Sequence, residues 1–153
     1  MNHTKSGKEE FNEKFVLDRQ NPHHDFGNGL TVTLIGQWEG RAAGAAQTGV
    51  GDPDWGNMCF YMNYCSVRFS FKNPVSKVGF SVIGLSQQNE RSYYRVKEVG
   101  VLEGGKNAMP ANGGTNKPAK KVLFESALGI ESFVIDQFNN DSNVLFLDNL
   151  IWE

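Results

Sequence analysis

Val144 to Glu153 reads VLFLDNLIWE, and the fold is decided by how this stretch is read. Successive side chains of an extended chain point to opposite faces. Val144, Phe146, Leu150 and Trp152 share one parity and Leu145, Leu147 and Ile151 the other, so a strand here is apolar on both sides. That pattern predicts a central strand covered on both faces, with Trp152 in the core. Asp148 and Asn149 interrupt it. A carboxylate in such surroundings needs a cation or several donors, because an unpaired buried charge is costly. Either a metal ion or backbone N–H groups must therefore meet Asp148.

The remaining apolar runs are also short and alternating. Leu30 to Leu34 places Leu and Val on one side and Thr on the other, the pattern of a half-buried strand. Val67, Phe69 and Phe71 alternate with Arg68, Ser70 and Lys72; Asn73-Pro74 is expected to turn the chain. Val78, Phe80 and Val82 repeat the pattern, which predicts a neighbouring strand. Phe15 to Leu17, Met58 to Tyr64, Tyr93 to Leu102, Val122 to Phe124 and Ile130 to Ile135 supply further strands, the last two separated by Gly129. In Tyr93 to Leu102 the apolar parity slips, which suggests a bulge. Eight or nine short strands without an amphipathic helix predict an all-β, antiparallel two-sheet β-sandwich of jelly-roll topology.

Composition agrees. The 153 residues include 39% hydrophobic and 12% aromatic residues, with 11 Phe and 17 Gly, which suits short strands and turn-rich loops. This length is about that of one domain, expected to span 15–153 after a charged, structureless lead-in at 1–14. A net charge of -2 with scattered Lys and Arg offers no basic stripe for nucleic acid or an anionic membrane. No apolar run of about 18 residues is present to insert into a bilayer as a helix. The polar N-terminus lacks the apolar segment of a secretory signal and reads as a disordered lead-in or the trimmed start of a mature protein.

Two cysteines, Cys59 and Cys65, stand six residues apart. On one straight strand they would lie roughly 20 Å apart, against the limit of about 7 Å for a disulfide. A bridge needs a turn through 61–64; otherwise both are inert thiols.

Phe71-Lys72-Asn73-Pro74-Val75-Ser76-Lys77-Val78-Gly79-Phe80-Ser81-Val82, followed much later by Phe146-Leu147-Asp148-Asn149-Leu150-Ile151-Trp152, resembles the closing half of β-sandwich domains in secreted bacterial sorting-tail (PEP-CTERM-like) proteins. It is more loosely similar to MAM domains and carbohydrate-binding jelly rolls. The resemblance runs from Thr31 to the C-terminus and implies an extracellular or cell-surface location. Domains of this kind often hold a cation where the two chain ends meet.

Two loops carry the chemical candidates. At the end of the 36–56 loop, Gly51-Asp52-Pro53-Asp54-Trp55-Gly56-Asn57 places two carboxylates two residues apart between glycines. Such a loop can present hard oxygens to Ca²⁺, which takes six to eight of them. Asp148 and Asp25, or Asp18, would complete the shell; the plainer reading is that Asp52 and Asp54 accept from turn N–H groups. Trp55 is the residue best suited to stack on a sugar ring, since it offers an apolar face and one N–H donor. Asn57, Trp38, Tyr93 and Tyr94 are further ligand-binding candidates, with capping of the core edge as the competing role for the aromatics. The other loop, 103–120, has no apolar face to bury. His23-His24-Asp25 reads as a solvated turn, because adjacent residues of an extended segment face opposite ways. No H-E-x-x-H, G-x-S-x-G or phosphate loop is present.

The leading expectation is an extracellular carbohydrate-binding or adhesion module with a structural calcium ion and a glycan or polysaccharide as partner. The alternatives are a polysaccharide-active lyase or hydrolase using Tyr93, Tyr94, Arg95 or a carboxylate pair on the same sandwich, and a self-assembling structural domain.

Overall fold

The computed structural model describes residues 6–37, 42–47, 58–63, 65–84, 91–96, 102–103, 120–136 and 144–153. These form eleven strands: β1 (Gly7–Glu9), β2 (Phe15–Leu17), β3 (His23–Asp25), β4 (Leu30–Gln37), β5 (Ala43–Gln47), β6 (Met58–Asn63), β7 (Cys65–Gly84), β8 (Arg91–Val96), β9 (Leu102–Glu103), β10 (Lys120–Asp136) and β11 (Val144–Trp152). Every pairing among them is antiparallel.

The frame is a long ribbon of β7 and β10. In its first half, Ser66–Ser70 of β7 pair with Ser132–Asp136 of β10, with β4 and then β3 added on one side and β8 and β9 on the other. In its second half, Lys77–Val82 pair with Lys120–Glu125, and β11, β6, β5 and β2 follow outward. Between the halves the ladder breaks. Ser70 opposes Ser132 and Val75 opposes Ile130, so five steps along β7 face two along β10. Strands that cross between packed sheets do so through bends of this kind.

The inward parity changes at that break. Val67, Phe69 and Phe71 point into the core before it, and Val78, Phe80 and Val82 after it; on β10, Phe133 and Ile135 are inward in one half and Val122 in the other. The two inner faces then meet ring to ring. Phe60 of β6 stands edge-on to Phe69 with centroids 5.3 Å apart, Phe80 stacks on Phe133 at 5.6 Å, and Trp152 lies 5.4 Å from Phe71. The result is the expected antiparallel β-sandwich.

Two expectations about this ribbon need correction. Asn73-Pro74 does not turn the chain into a neighbouring strand; the two alternating runs lie end to end in the single strand β7. Proline is tolerated there because it falls in the unpaired bulge, where no ladder N–H is required. Gly129 likewise sits inside β10, with φ of 91° at its irregular step, a conformation that glycine adopts without penalty.

β11 is central, as expected, but it is not covered on both faces throughout. Its register with β7 slips by one residue between Asp148 and Ile151. Leu147 is inward before the slip, Leu150 and Trp152 after it, and Ile151 is half exposed. The two-faced pattern in VLFLDNLIWE therefore arises in part from a bulge, with Asn149 at φ 55°. The partner on the other edge changes there too: β6 pairs with 144–147 and β1 with 150–152.

β1 belongs to the span read as structureless lead-in. From Gly7 onward that segment is part of the fold, because Phe11 is a fully buried core residue against Phe26 and Phe60. The Glu9 carboxylate holds the entry in place: it accepts from Phe11 N at 2.8 Å and from Asn28 Nδ2 at 2.8 Å. The Trp152 indole lies over Gly7, leaving no room for a Cβ there.

Cys59 and Cys65 are free and buried on β6 and β7. Cys65 Sγ donates to Ala42 O at 3.8 Å, and burial pushes its thiol from 9.0 up to about 12, against a smaller lowering by the backbone hydrogen bond with Asn63. A raised thiol pKa favours the protonated folded state. Its contribution is intact below pH 9.0 and is lost as the pH rises from there towards about 12. Native protein at pH 8 is expected to resist iodoacetamide at Cys65 and to react on unfolding, since only the thiolate attacks. Melting curves between pH 8 and 11 should fall less steeply in Cys65→Ala than in the parent.

Candidate functional site

Cross-strand partners share a face, so the register groups the residues of the first sheet opposite its core side, where Thr33, Arg68 and Ser70 are part-exposed and Val134 and Ser132 are buried. One row runs His23, Thr33, Arg68, Val134, Tyr93 across β3, β4, β7, β10 and β8. The next runs Asp25, Thr31, Ser70, Ser132, Arg95. At about 4.8 Å per strand, each row spans roughly 19 Å. His23 Nδ1 and Thr33 Oγ1 are 3.1 Å apart within the first row.

Where these rows reach the bend of the ribbon, the broken ladder opens a cleft of about 530 Å³. Arg68, Ser70, Lys72, Glu131 and Ser132 line it, with Phe71 and Pro74 completing the wall. The bulge thus has a functional consequence. It separates the strand backbones and aims a guanidinium, an ammonium, a carboxylate and two hydroxyls into one space. That volume lies within the usual range for a small-ligand site of about 300–1,000 Å³.

The sequence-derived candidates fall as follows. Tyr93 pairs with Val134, in the row of Arg68, while Tyr94 pairs with Phe133, an inward core position. Trp38, Asp52, Asp54, Trp55 and Asn57 lie outside the described residues. Asp25 is exposed, and its Oδ1 accepts from Gly27 N at 2.9 Å. Asp18 does the same for Gln20 N and Asn21 N at 2.9 and 2.8 Å. Asp148 is buried at the β11 bulge, 1% exposed, and its Oδ1 accepts from Asn149 N at 2.8 Å. A backbone donor therefore meets it. Among the described residues no three His, Cys, Asp or Glu side chains are grouped to hold a metal ion.

His23-His24-Asp25 is a strand, not a solvated turn. His24 turns inward and stacks on Phe15 at 4.0 Å, with Glu13 Oε1 3.8 Å from its Nε2, while His23 is exposed. Its neighbours explain this: Phe15 and Phe26 offer an aromatic wall that the ring completes.

Reading the sequence missed the cleft. Arg68, Ser70 and Lys72 are the outward partners of the best alternation in the chain, a signal that marks a solvated face but not a concave one. Ser132 joins them by pairing with Ser70, and Glu131 only through the ladder break.

No protein-family model matches this sequence, and no curated protein sequence does. Among solved structures, the K1 cleaved adhesin domain of Lys-gingipain from Porphyromonas gingivalis W83 is similar over 98% of this chain and 98% of its own, with a TM-score of 0.62 at 12% identity. A family 29 carbohydrate-binding module from Piromyces equi is similar over 97% of this chain and 91% of its own, TM-score 0.54 at 7% identity. A family 61 carbohydrate-binding module in complex with β-1,4-galactotriose covers 88% of this chain and 95% of its own, TM-score 0.56 at 13% identity. The chain therefore shares the β-sandwich fold of adhesin and carbohydrate-binding domains.

Proposed function

We propose that this chain is a glycan-binding or adhesion module acting outside the cell, and that its ligand lies on the outer face of the β3-β4-β7-β10-β8 sheet. The observation that carries this reading is the cleft at Arg68, Ser70, Lys72, Glu131 and Ser132, set where the first sheet reaches the bend of the ribbon. Sugars present many hydroxyls, each able to donate and accept. A rigid surface with two hydroxyls, a carboxylate and two cations within one cleft satisfies them in fixed directions. The adhesin and carbohydrate-binding domains of the same fold support the reading.

Isothermal titration against a panel of oligosaccharides tests it. Saturable binding is expected, weakened at least about tenfold in Arg68→Ala, the loss of a charged hydrogen bond of about 1.5–3 kcal/mol. Trp55→Ala in the same assay reports whether the 51–57 loop shares the ligand. Absence of binding at millimolar sugar would remove the proposal. Release of new reducing ends, abolished by Tyr93→Phe, would make the face catalytic.

A further inference from the structure

We infer that the ligand of this cleft is an anionic glycan, its uronate carboxylate or sulfate ester held between Arg68 and Lys72 and its hydroxyls by Ser70, Ser132 and Glu131. This rests on the glycan-binding reading above and adds the class of sugar.

Three observations carry it. The first is unspent positive charge. Among the described residues the ion pairs are Lys8 with Glu10, His24 with Glu13, and Lys77 with both Glu125 and Glu153; Arg68 and Lys72 pair with none, although Glu131 lines the same cleft. Among the described residues Lys8 and Lys77 have found carboxylates, whereas Arg68 and Lys72, like the exposed Lys14, Arg19 and Lys121, have not; what sets Arg68 and Lys72 apart is that they share one cleft. The chain as a whole is acidic, with a net charge of -2, so two unpaired cations in one cleft run against the average.

The second is geometry. Arg68 and Lys72 line the same cleft, so one anionic substituent entering it meets both cations. The guanidinium of Arg68 suits a planar carboxylate or a sulfate through paired N–H donors, whereas the ammonium of Lys72 acts as a point charge.

The third is the wall itself. Among the described residues that line the cleft, the aromatic side chain is Phe71, 8% exposed and part of the core. A neutral sugar held mainly by stacking needs an open ring face, and the cleft offers charge and hydroxyls in its place. Glu131 then acts as a selectivity group: it accepts from hydroxyls and directs the anionic substituent towards Arg68 and Lys72.

The test is titration of the whole chain with four probes of similar length: oligogalacturonate, a sulfated galactan oligosaccharide, a cello-oligosaccharide and polyglutamate. One of the two anionic sugars is expected to bind at least about tenfold more tightly than the cello-oligosaccharide, and raising NaCl from 50 to 500 mM should weaken it several-fold as the charges are screened. The preferred anion tells carboxylate from sulfate. Lys72→Ala should weaken binding of the anionic sugar several-fold, and Glu131→Gln should tighten it about two- to fivefold by removing a like charge. Should Arg68→Ala fold poorly by circular dichroism, Arg68→Gln replaces it, with a loss of about tenfold expected. Salt-independent binding of the neutral oligosaccharide, equal to that of the anions, would overturn the inference and leave the glycan-binding reading standing. Polyglutamate bound as tightly as the sugars, with the same dependence on Lys72, would also overturn it. No binding of any sugar would overturn both.

Discussion

Trp152→Ala is expected to destabilise the protein by about 3–5 kcal/mol. The β11 bulge is what turns this residue inward: the register with β7 slips by one between Asp148 and Ile151, and a strand shifted by one residue exchanges its faces. Leu147 is therefore inward before the slip and Leu150 and Trp152 after it, with Ile151 half exposed. The loss is a large share of the whole stability of a typical domain, about 5–15 kcal/mol. Ile151→Ala, on the opposite face, should cost less than about 1 kcal/mol. A thermal melt decides it: equal shifts for the two variants would show that β11 carries no fixed facing. Deleting Asn149 should leave the protein folded, because Leu147, Asp148, Leu150, Ile151 and Trp152 then alternate regularly and the pairs of Ile151 with Gly79 and Trp152 with Val78 are kept. Asn149→Gly keeps the bulge. Glycine accepts the φ of 55° as readily as asparagine, so that variant should stay folded, whereas Asn149→Val meets the left-handed penalty of about 1–2 kcal/mol.

The second large effect is expected at Phe133. Its ring stacks on Phe69 at 4.6 Å with an interplanar angle of 1°, on Phe80 at 5.6 Å, and lies 6.1 Å from Phe71. Phe69 sits beside it in the same sheet and Phe80 in the opposite one, so this side chain joins the two layers. Phe133→Ala removes a fully buried ring and should destabilise by about 3–5 kcal/mol, lowering the melting midpoint by roughly 10 °C or more for a chain of this size. Leu123→Ala, at a side chain 63% exposed, should change stability by less than about 0.5 kcal/mol. Equal shifts for the two variants would contradict the packing described.

Local alternation carried most of the fold. Leu30 to Leu34 and Val67 to Phe71 face as their parity predicts, because in each the ladder is regular and one side is buried. The misreadings share a cause. Asn73-Pro74, Gly129 and Asp148-Asn149 are residues that end strands in most settings; here each sits at a ladder break within a continuing strand. What separates a turn from a bulge is whether the next residues pair with the preceding strand or with a third one, and that partner lies far away in the chain. The same limit hid the cleft, since Glu131 meets Arg68 and Lys72 only through such a break. Phe11 was misplaced for another reason: its polar surroundings outweigh one ring in any local average, while the core receives that ring individually.

β11 comes last in the sequence yet lies between β7 on one edge and β6 and β1 on the other. During synthesis, each of those edges stays open until about residue 152 has left the ribosome. Until β11 docks, β1, β6 and β7 each lack a partner along that edge, so the sandwich closes only with this strand, and open edges of this kind favour association with holding factors in the interval.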